Sequence, residues 1–184
     1  MTRILADLRE AGKAVLKIAE KKGLDEAEAY LVSNKVLTVR LVNNAVFESK
    51  GVHDTGIGLR VIKGKTLGFG STADLSEKSL SKLVDAASST ARARELSFKY
   101  TFPKPSKTLK VAGVYDERLT GLSPEKAVEL AYGAVEASME HSRKIVDNAG
   151  VLNVVNYETL VMNSHGVSAE NVGTFFEFSL SATA

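Results

Sequence analysis

The stretch DTGIGLRVIKGKTLGFGSTADLS, residues 54–76, decides how this chain reads. Apolar and β-branched residues over 57–63 predict a strand, Lys63-Gly64-Lys65 supplies turn chemistry, and 66–71 predict the returning partner. Glycines stand at Gly56, Gly58, Gly64, Gly68 and Gly70. Within a strand such glycines mark a bulge, a sharp twist or a close backbone approach. Ser76 then caps a helix, with Glu77 beside the positive end of its dipole. Leu80, Leu83, Val84, Ala87 and Ala91 hold the helical spacing, so the helix is expected to run to about Arg94 or Glu95.

Upstream, Thr2 is a candidate cap for a first helix. Ile4, Leu5, Leu8, Ala11, Val15, Ile18 and Ala19 form its apolar stripe, and Gly23 supplies a left-handed stop after Lys21 and Lys22. Over 25–32, Ala27, Ala29 and Leu31 alternate with Glu26, Glu28 and Tyr30. Over 37–42, Leu37, Val39 and Leu41 alternate with Thr38, Arg40 and Val42. Asn43-Asn44 is turn chemistry, because Asn tolerates positive φ, and 45–50 return as a strand. His53-Asp54 reads as loop.

Downstream, residues 96–114 carry prolines, aromatics and lysines, and predict an extended connection with a subdivision near 97–113. Ser123-Pro124-Glu125 opens a third helix, ending near His141-Ser142. Residues 143–146, 151–155, 159–162, 167–172 and 173–184 read as strands, with a turn at Asn163-Ser164-His165-Gly166. The last strand puts Phe176, Phe178, Leu180 and Ala182 on one apolar face. Together these elements predict an α+β fold: a mixed, largely antiparallel sheet packed with about three amphipathic helices.

The 184 residues include 44% hydrophobic and 25% charged, the balance of an ordinary globular protein. There is no cysteine, which removes thiol nucleophiles, disulfides and cysteine metal sites. No apolar run approaches the about 20 residues needed to span a bilayer. The charged N-terminus does not resemble a signal peptide, so a cytoplasmic location is expected and no membrane partner. Net charge is +2, too balanced to argue for nucleic acid, and there is no Trp.

No catalytic motif emerges. His53, His141 and His165 lack the spacing of a helical zinc pair. His141 suits a helix C-terminus, and His165 is a turn residue that is at most a base or ligand. The Gly56-x-Gly58 pair precedes a strand, whereas a dinucleotide loop follows one. Gly68–Thr72 precedes a helix, where an anion is physically feasible, but it lacks the lysine of a phosphate loop. Arg60, Ser71, Thr72, Asp74 and His165 remain as candidates for polar or substrate contacts, with Glu48 and Asp54 behind them. No catalytic, cofactor-binding or metal residue is assigned.

Several segments, in order, resemble one family. Gly56-Ile57-Gly58 with Arg60-Val61-Ile62, then Gly68-Phe69 and Ser71-Thr72 leading to Asp74-Leu75-Ser76, look like its core pattern. Residues 27–32 and 44–49 are similar to its opening strands. Val114-Tyr115-Asp116 with Arg118, the run 123–131, and the turn from Asn163 to Val167 resemble its later blocks. The family is TldD/PmbA, also called modulators of DNA gyrase. The resemblance implies a longer protein, of which residues 1–184 are the N-terminal α+β domain. In the TldD branch a C-terminal His-Glu-x-x-x-His motif with a later cysteine holds zinc and cleaves unfolded or extended peptides. The PmbA branch lacks those ligands and pairs with TldD as a heterodimer. The pair is linked to maturation of a gyrase-targeting peptide antibiotic and to degradation of an antitoxin. This chain has neither motif nor cysteine, so zinc is expected only beyond it, and only in the TldD branch. The turn at 163–166 and the block at 71–76 lean toward PmbA.

The expected function is therefore a non-catalytic N-terminal part that helps form a groove for an extended peptide. Its partners are a peptide or unfolded protein and a family member in a homo- or heterodimer. The alternative is a non-enzymatic module that binds nucleic acid or protein through the basic segment 99–110.

Overall fold

The computed structural model of the chain describes residues 3–91, 98, 100–107 and 111–184. The elements are α1 (Arg3–Lys21), β1 (Glu26–Val42), β2 (Ala45–Lys63), β3 (Thr66–Thr72), α2 (Glu77–Ala91), α3 (Glu117–Thr120), α4 (Pro124–His141), β4 (Asp147–Asn163) and β5 (Ser168–Thr183). The cap at Thr2, the end of the second helix at Arg94 or Glu95, and Lys99 and Lys110 of the basic segment lie outside the described residues. No described helix is long and apolar enough to cross a membrane.

The strands form one sheet in the order β3-β2-β1-β4-β5. β2 and β3 pair antiparallel, from Lys63 opposite Thr66 to Ile57 opposite Thr72. Thr38 bonded to Asn153 and Ser164 bonded to Ala27 set β1 and β4 antiparallel as well. The α+β class holds, with three long helices and one single-turn helix among the described residues. Two pairs of expected short strands are one strand each: 25–32 and 37–42 merge into β1, and 45–50 and 57–63 into β2. His53 and Asp54 are strand residues of β2, not loop. The downstream strands merge into β4 and β5, but residues 143–146 are not strand, and β4 starts at Asp147. Extended backbone continues wherever a neighbour keeps pairing with it, and side-chain alternation does not report that.

The chain divides into two compact units, and β1, β2, β4 and β5 contribute residues to both. The first unit comprises residues 1–33, 54–110 and 158–171. Here α1 buries Leu5, Leu8, Ala11, Val15 and Ala19, and α2 buries Leu80, Leu83, Val84, Ala87 and Ala91. Buried in the same unit are Ala27, Ala29 and Leu31 of β1, Ile57, Leu59 and Val61 of β2, and Leu160 and Met162 of β4. α1 ends as Gly23 enters the left-handed region at φ 70°, with Gly23 N–H donating to Glu20 and Leu24 N–H to Ala19. α2 lies very close to β3. A Cβ on Gly68 would stand 2.7 Å from Ala91 N, and one on Gly70 2.9 Å from Leu83 Cδ1. The two strand glycines are thus the close backbone approach that their positions predicted. Thr90 of α2 completes the contact, its Oγ1 accepting from Phe69 N–H and donating to the Phe69 carbonyl on the edge strand.

The second unit comprises residues 34–53, 111–157 and 172–184. α4 is capped by Ser123, whose hydroxyl accepts from Lys126 N–H, with Pro124 in the first turn. Its small stripe, Ala127, Ala131 and Val135, packs on Val39, Leu41, Leu152 and Val154. Asn43 and Asn44 both take positive φ, at 52° and 60°, and join β1 to β2. The fully buried Asn148 secures that turn: its Nδ2 donates to Asn44 Oδ1, and its Oδ1 accepts from Ser138 of α4.

Candidate functional site

Alternation in β1 sends Ala27, Ala29 and Leu31 to the helix-covered side and leaves Glu26, Glu28 and Tyr30 on the other. That second face, in the first unit, carries residues 100–103, part of a stretch from 100 to 107 with no regular secondary structure. The expected solvated connection is therefore partly packed. Phe102 is 2% exposed. The Arg60 guanidinium stands 5.2 Å over the Phe102 ring, and the Tyr100 ring meets that ring edge-on at 5.7 Å.

Two acids that the sequence did not single out organise this face. Glu28 is buried, and it forms an ion pair with Arg60, the pairing that a buried carboxylate requires. That bond, helped by the Tyr100 hydroxyl, holds the Arg60 guanidinium above its ordinary value. Glu26 gathers donors: the Thr101 hydroxyl at 2.8 Å, the Phe102 N–H at 2.8 Å and His165 Nε2 at 2.9 Å. Burial pushes the Glu26 carboxyl up, but the Phe102 N–H, His165 and Thr101 outweigh it and hold the carboxyl below its ordinary value.

The last residue of β4, braced by the turn that follows, supplies the remaining anchor. Asn163 Oδ1 accepts from His165 N–H at 3.0 Å and Val167 N–H at 3.1 Å, and Gly166 takes the left-handed conformation at φ 88°. This frees Asn163 Nδ2 to donate to the Pro103 carbonyl at 2.8 Å. Ser164 fastens the turn to β1 through both Ala27 N–H and the Ala27 carbonyl.

A hydroxyl, a histidine and a carboxylate within hydrogen-bond reach invite comparison with a nucleophilic triad. In such a triad the acid holds the ring nitrogen opposite the one facing the hydroxyl. Here Glu26 and Thr101 both approach Nε2 of His165, Thr101 at 3.5 Å, so no relay exists. The cluster fixes a backbone segment.

Of the five candidate residues, the structure brings Arg60 and His165 onto the same segment. Ser71 and Thr72 lie at the end of β3, opposite Gly58 and Ile57. Asp74 lies just before α2 and braces its Ser76 cap, accepting from Ser76 N–H at 2.9 Å and the Ser79 hydroxyl at 2.6 Å. The Ser79 bond foremost, with Ser76, lowers its carboxyl below the ordinary range. A carboxylate thus already stands at the helix end considered for an anion. Glu48, His53 and Asp54 lie in β2, and His141 lies in the last turn of α4. Within the basic segment, Phe102 is buried and unavailable for stacking on a base, while Lys104 and Lys107 are exposed.

Beside Arg60 the same face opens into a groove of about 370 Å³, lined by Glu28, Tyr30, Gly58, Phe69 and Val161 among others. Tyr30 and Phe69, both exposed, line it together with Gly58. Among the described residues no three His, Cys, Asp or Glu side chains gather to hold a metal. The Glu26 oxygens are already engaged by Thr101, Phe102 and His165, so this donor set does not fit zinc.

Comparison with known proteins agrees with this architecture. Residues 27–91 match the family model described as PmbA/TldA metallopeptidase domain 1, and residues 117–184 match the PmbA/TldA metallopeptidase central domain. The chain belongs to the PmbA/TldD family. It is 29% identical over 168 residues to an uncharacterised protein of Methanocaldococcus jannaschii, covering 91% of this chain and 38% of that one. It is 29% identical over 178 residues to the metalloprotease PmbA of Escherichia coli O157:H7, covering 87% of this chain and 36% of that one. The fold is shared with the crystal structure of TldE from Thermococcus kodakarensis, at TM-score 0.80 and 18% identity, over 94% of this chain and 42% of that one. The chain thus spans about two fifths of the length of the curated relatives it matches.

Proposed function

We propose that this chain is the N-terminal, non-catalytic part of a PmbA/TldD-type metallopeptidase or of its heterodimer partner, and that it helps form the groove for an extended peptide. Zinc, which in the TldD branch would polarise the scissile carbonyl and activate water, belongs in this reading to residues outside this chain. A cytoplasmic location, and a second family member as partner, are part of the same reading. The observation that carries the groove is β5, the 16-residue edge strand of the sheet. The chain already uses that edge once, where Thr174 N–H donates to the Val114 carbonyl at 2.9 Å. Beyond Thr174 the strand exposes Phe175, Phe176 and Phe178. An edge of this kind takes an extended peptide through main-chain bonds, with apolar side chains adding contact.

The test has two arms. The purified chain, with or without added zinc, is expected to leave an unfolded substrate uncleaved; zinc-dependent cleavage would sink the non-catalytic assignment. A fluorescein-labelled, valine- and threonine-rich peptide is expected to bind, and the double variant Phe176→Lys/Phe178→Lys to bind at least about tenfold more weakly, since edge lysines block strand addition. Equal binding by both proteins, with the sheet intact by circular dichroism, would remove β5 as the groove.

A further inference from the structure

Residues 100–103 are held to the first unit as a bound peptide is held. Their backbone is recognised at two points, the Phe102 N–H by Glu26 and the Pro103 carbonyl by Asn163. One side chain, Phe102, is the buried anchor beneath Arg60. Thr101 is held at its hydroxyl by Glu26, and Tyr100 at its hydroxyl by Arg60 at 3.5 Å. Main-chain bonds to an extended segment plus one desolvated aromatic anchor is the way protein surfaces recognise peptides. Every recognising group comes from β1, β2 or the last residue of β4, and the recognised segment belongs to no strand or helix. Two of those groups are themselves fixed: Glu28 holds Arg60, and the turn amides of His165 and Val167 orient Asn163. Arg60 and Asn163 are therefore placed by bonds that do not involve the segment, and Glu26 keeps His165 as its partner outside it. The open groove at Tyr30, Gly58 and Phe69 continues the same face past Arg60.

We propose that Glu26, Arg60 and Asn163 form a peptide-binding site that the chain fills in cis with residues 100–103, and that in trans the site takes an extended peptide bearing an aromatic residue followed by proline. The tethered segment is an autoinhibitory occupant. A tethered ligand competes at an effective concentration of order mM, so an outside peptide meets the site only in the fraction of molecules whose segment has lifted. This site stands in the first unit and does not depend on the β5 reading, which stands in the second.

The experiment uses the peptide Tyr-Thr-Phe-Pro-Lys-Pro, the sequence of residues 100–105, acetylated and amidated, as probe. On the wild-type chain, rising peptide is expected to accelerate hydrogen exchange at the Phe102 N–H, because peptide traps the lifted state. The amides of Leu59 and Val61, in the sheet core, should keep their rates. In Phe102→Ala the tethered segment loses its anchor, and the peptide is expected to bind at least about tenfold more tightly than to wild type. Adding Asn163→Ala or Glu26→Gln to that variant should weaken binding about tenfold again. Phe102 exchange unchanged at several millimolar peptide overturns the proposal, and so does binding that survives both anchor substitutions. If Phe102→Ala fails to fold, the wild-type exchange measurement decides alone. The lysines at Phe176 and Phe178 should leave this peptide's effect intact, which separates failure of this site from failure of the β5 groove.

Discussion

Gly68→Ala tests the tightest glycine position among the described residues. A Cβ on Gly68 would lie 2.7 Å from Ala91 N and 2.8 Å from Ala91 Cβ, and closer still to the Ala87 carbonyl oxygen. Ordinary contact begins near 3.4 Å, so the Ala91 N contact alone makes α2 or β3 give way by about 0.7 Å, and the Ala87 carbonyl demands more. The nearest atoms include helix backbone, which cannot rotate aside as a side chain does. α2 therefore moves as a body and opens gaps around Leu80, Leu83, Val84, Ala87 and Ala91. A gap of about 0.5–1 Å forfeits a quarter to a half of each dispersion contact. Overpacking of this kind costs about 2–3 kcal/mol. For a chain of this size that lowers Tm by about 4–12 °C. Urea and thermal denaturation followed by far-UV circular dichroism read it directly. The companion variant Gly68→Ala/Ala91→Gly should not recover, because removing the Ala91 Cβ leaves the Ala91 N and Ala87 carbonyl contacts. A Tm within about 1 °C of wild type, or full rescue by Ala91→Gly, would refute the reasoning.

Other positions give opposite or pH-dependent outcomes. Gly133 lies inside α4 with nothing within 4 Å of a Cβ, so Gly133→Ala should stabilise by about 0.8–1 kcal/mol, read as a higher urea midpoint. Ser123→Ala removes the cap of α4 and should cost about 1 kcal/mol by the same assay, whereas Ser123→Asp should cost little. Glu26→Gln should cost about 1–2 kcal/mol at pH 7, through weaker bonds to Phe102, Thr101 and His165. Its carboxyl is held below the ordinary value when folded, so its contribution is full above the unfolded value and is lost as pH falls through the lowered folded one. The wild-type advantage over Glu26→Gln should therefore shrink from pH 5 toward pH 3, and a gap that widens in acid would contradict the assignment.

Short-range features were legible because their physics is local. Gly23 as a helix stop, Asn43-Asn44 as a turn, and Ser76 and Ser123-Pro124 as helix starts need only a residue's own backbone preference and its neighbours a few positions away. The alternation of Ala27, Ala29 and Leu31 with Glu26, Glu28 and Tyr30 likewise read the two faces of β1 correctly. Strand length was not legible. Asn34-Lys35-Val36 and Gly51 break the pattern, yet β1 and β2 run through them, because pairing with neighbouring strands holds the backbone extended. Residues 143–146 failed in the other direction: apolar and β-branched at 145 and 146, they have the composition of a strand but turn instead.

By itself the sequence determined the α+β class, the three long helices with the caps at Ser76 and Ser123, the hairpin around Gly64 with its close-packing glycines, and the family. Each rests on spacing within one segment or on the order of segments. Only the tertiary structure decided that Glu26, Thr101, Phe102 and His165 meet, that Glu28 pairs with Arg60, and that noncontiguous pieces make each unit. Glu26 and His165 are separated by most of the chain, and β1 and β4 bring them together only by pairing as neighbours. A carboxylate chooses its partners by proximity in space, and in an extended strand of alternating acids nothing local marks which one the fold will surround with donors.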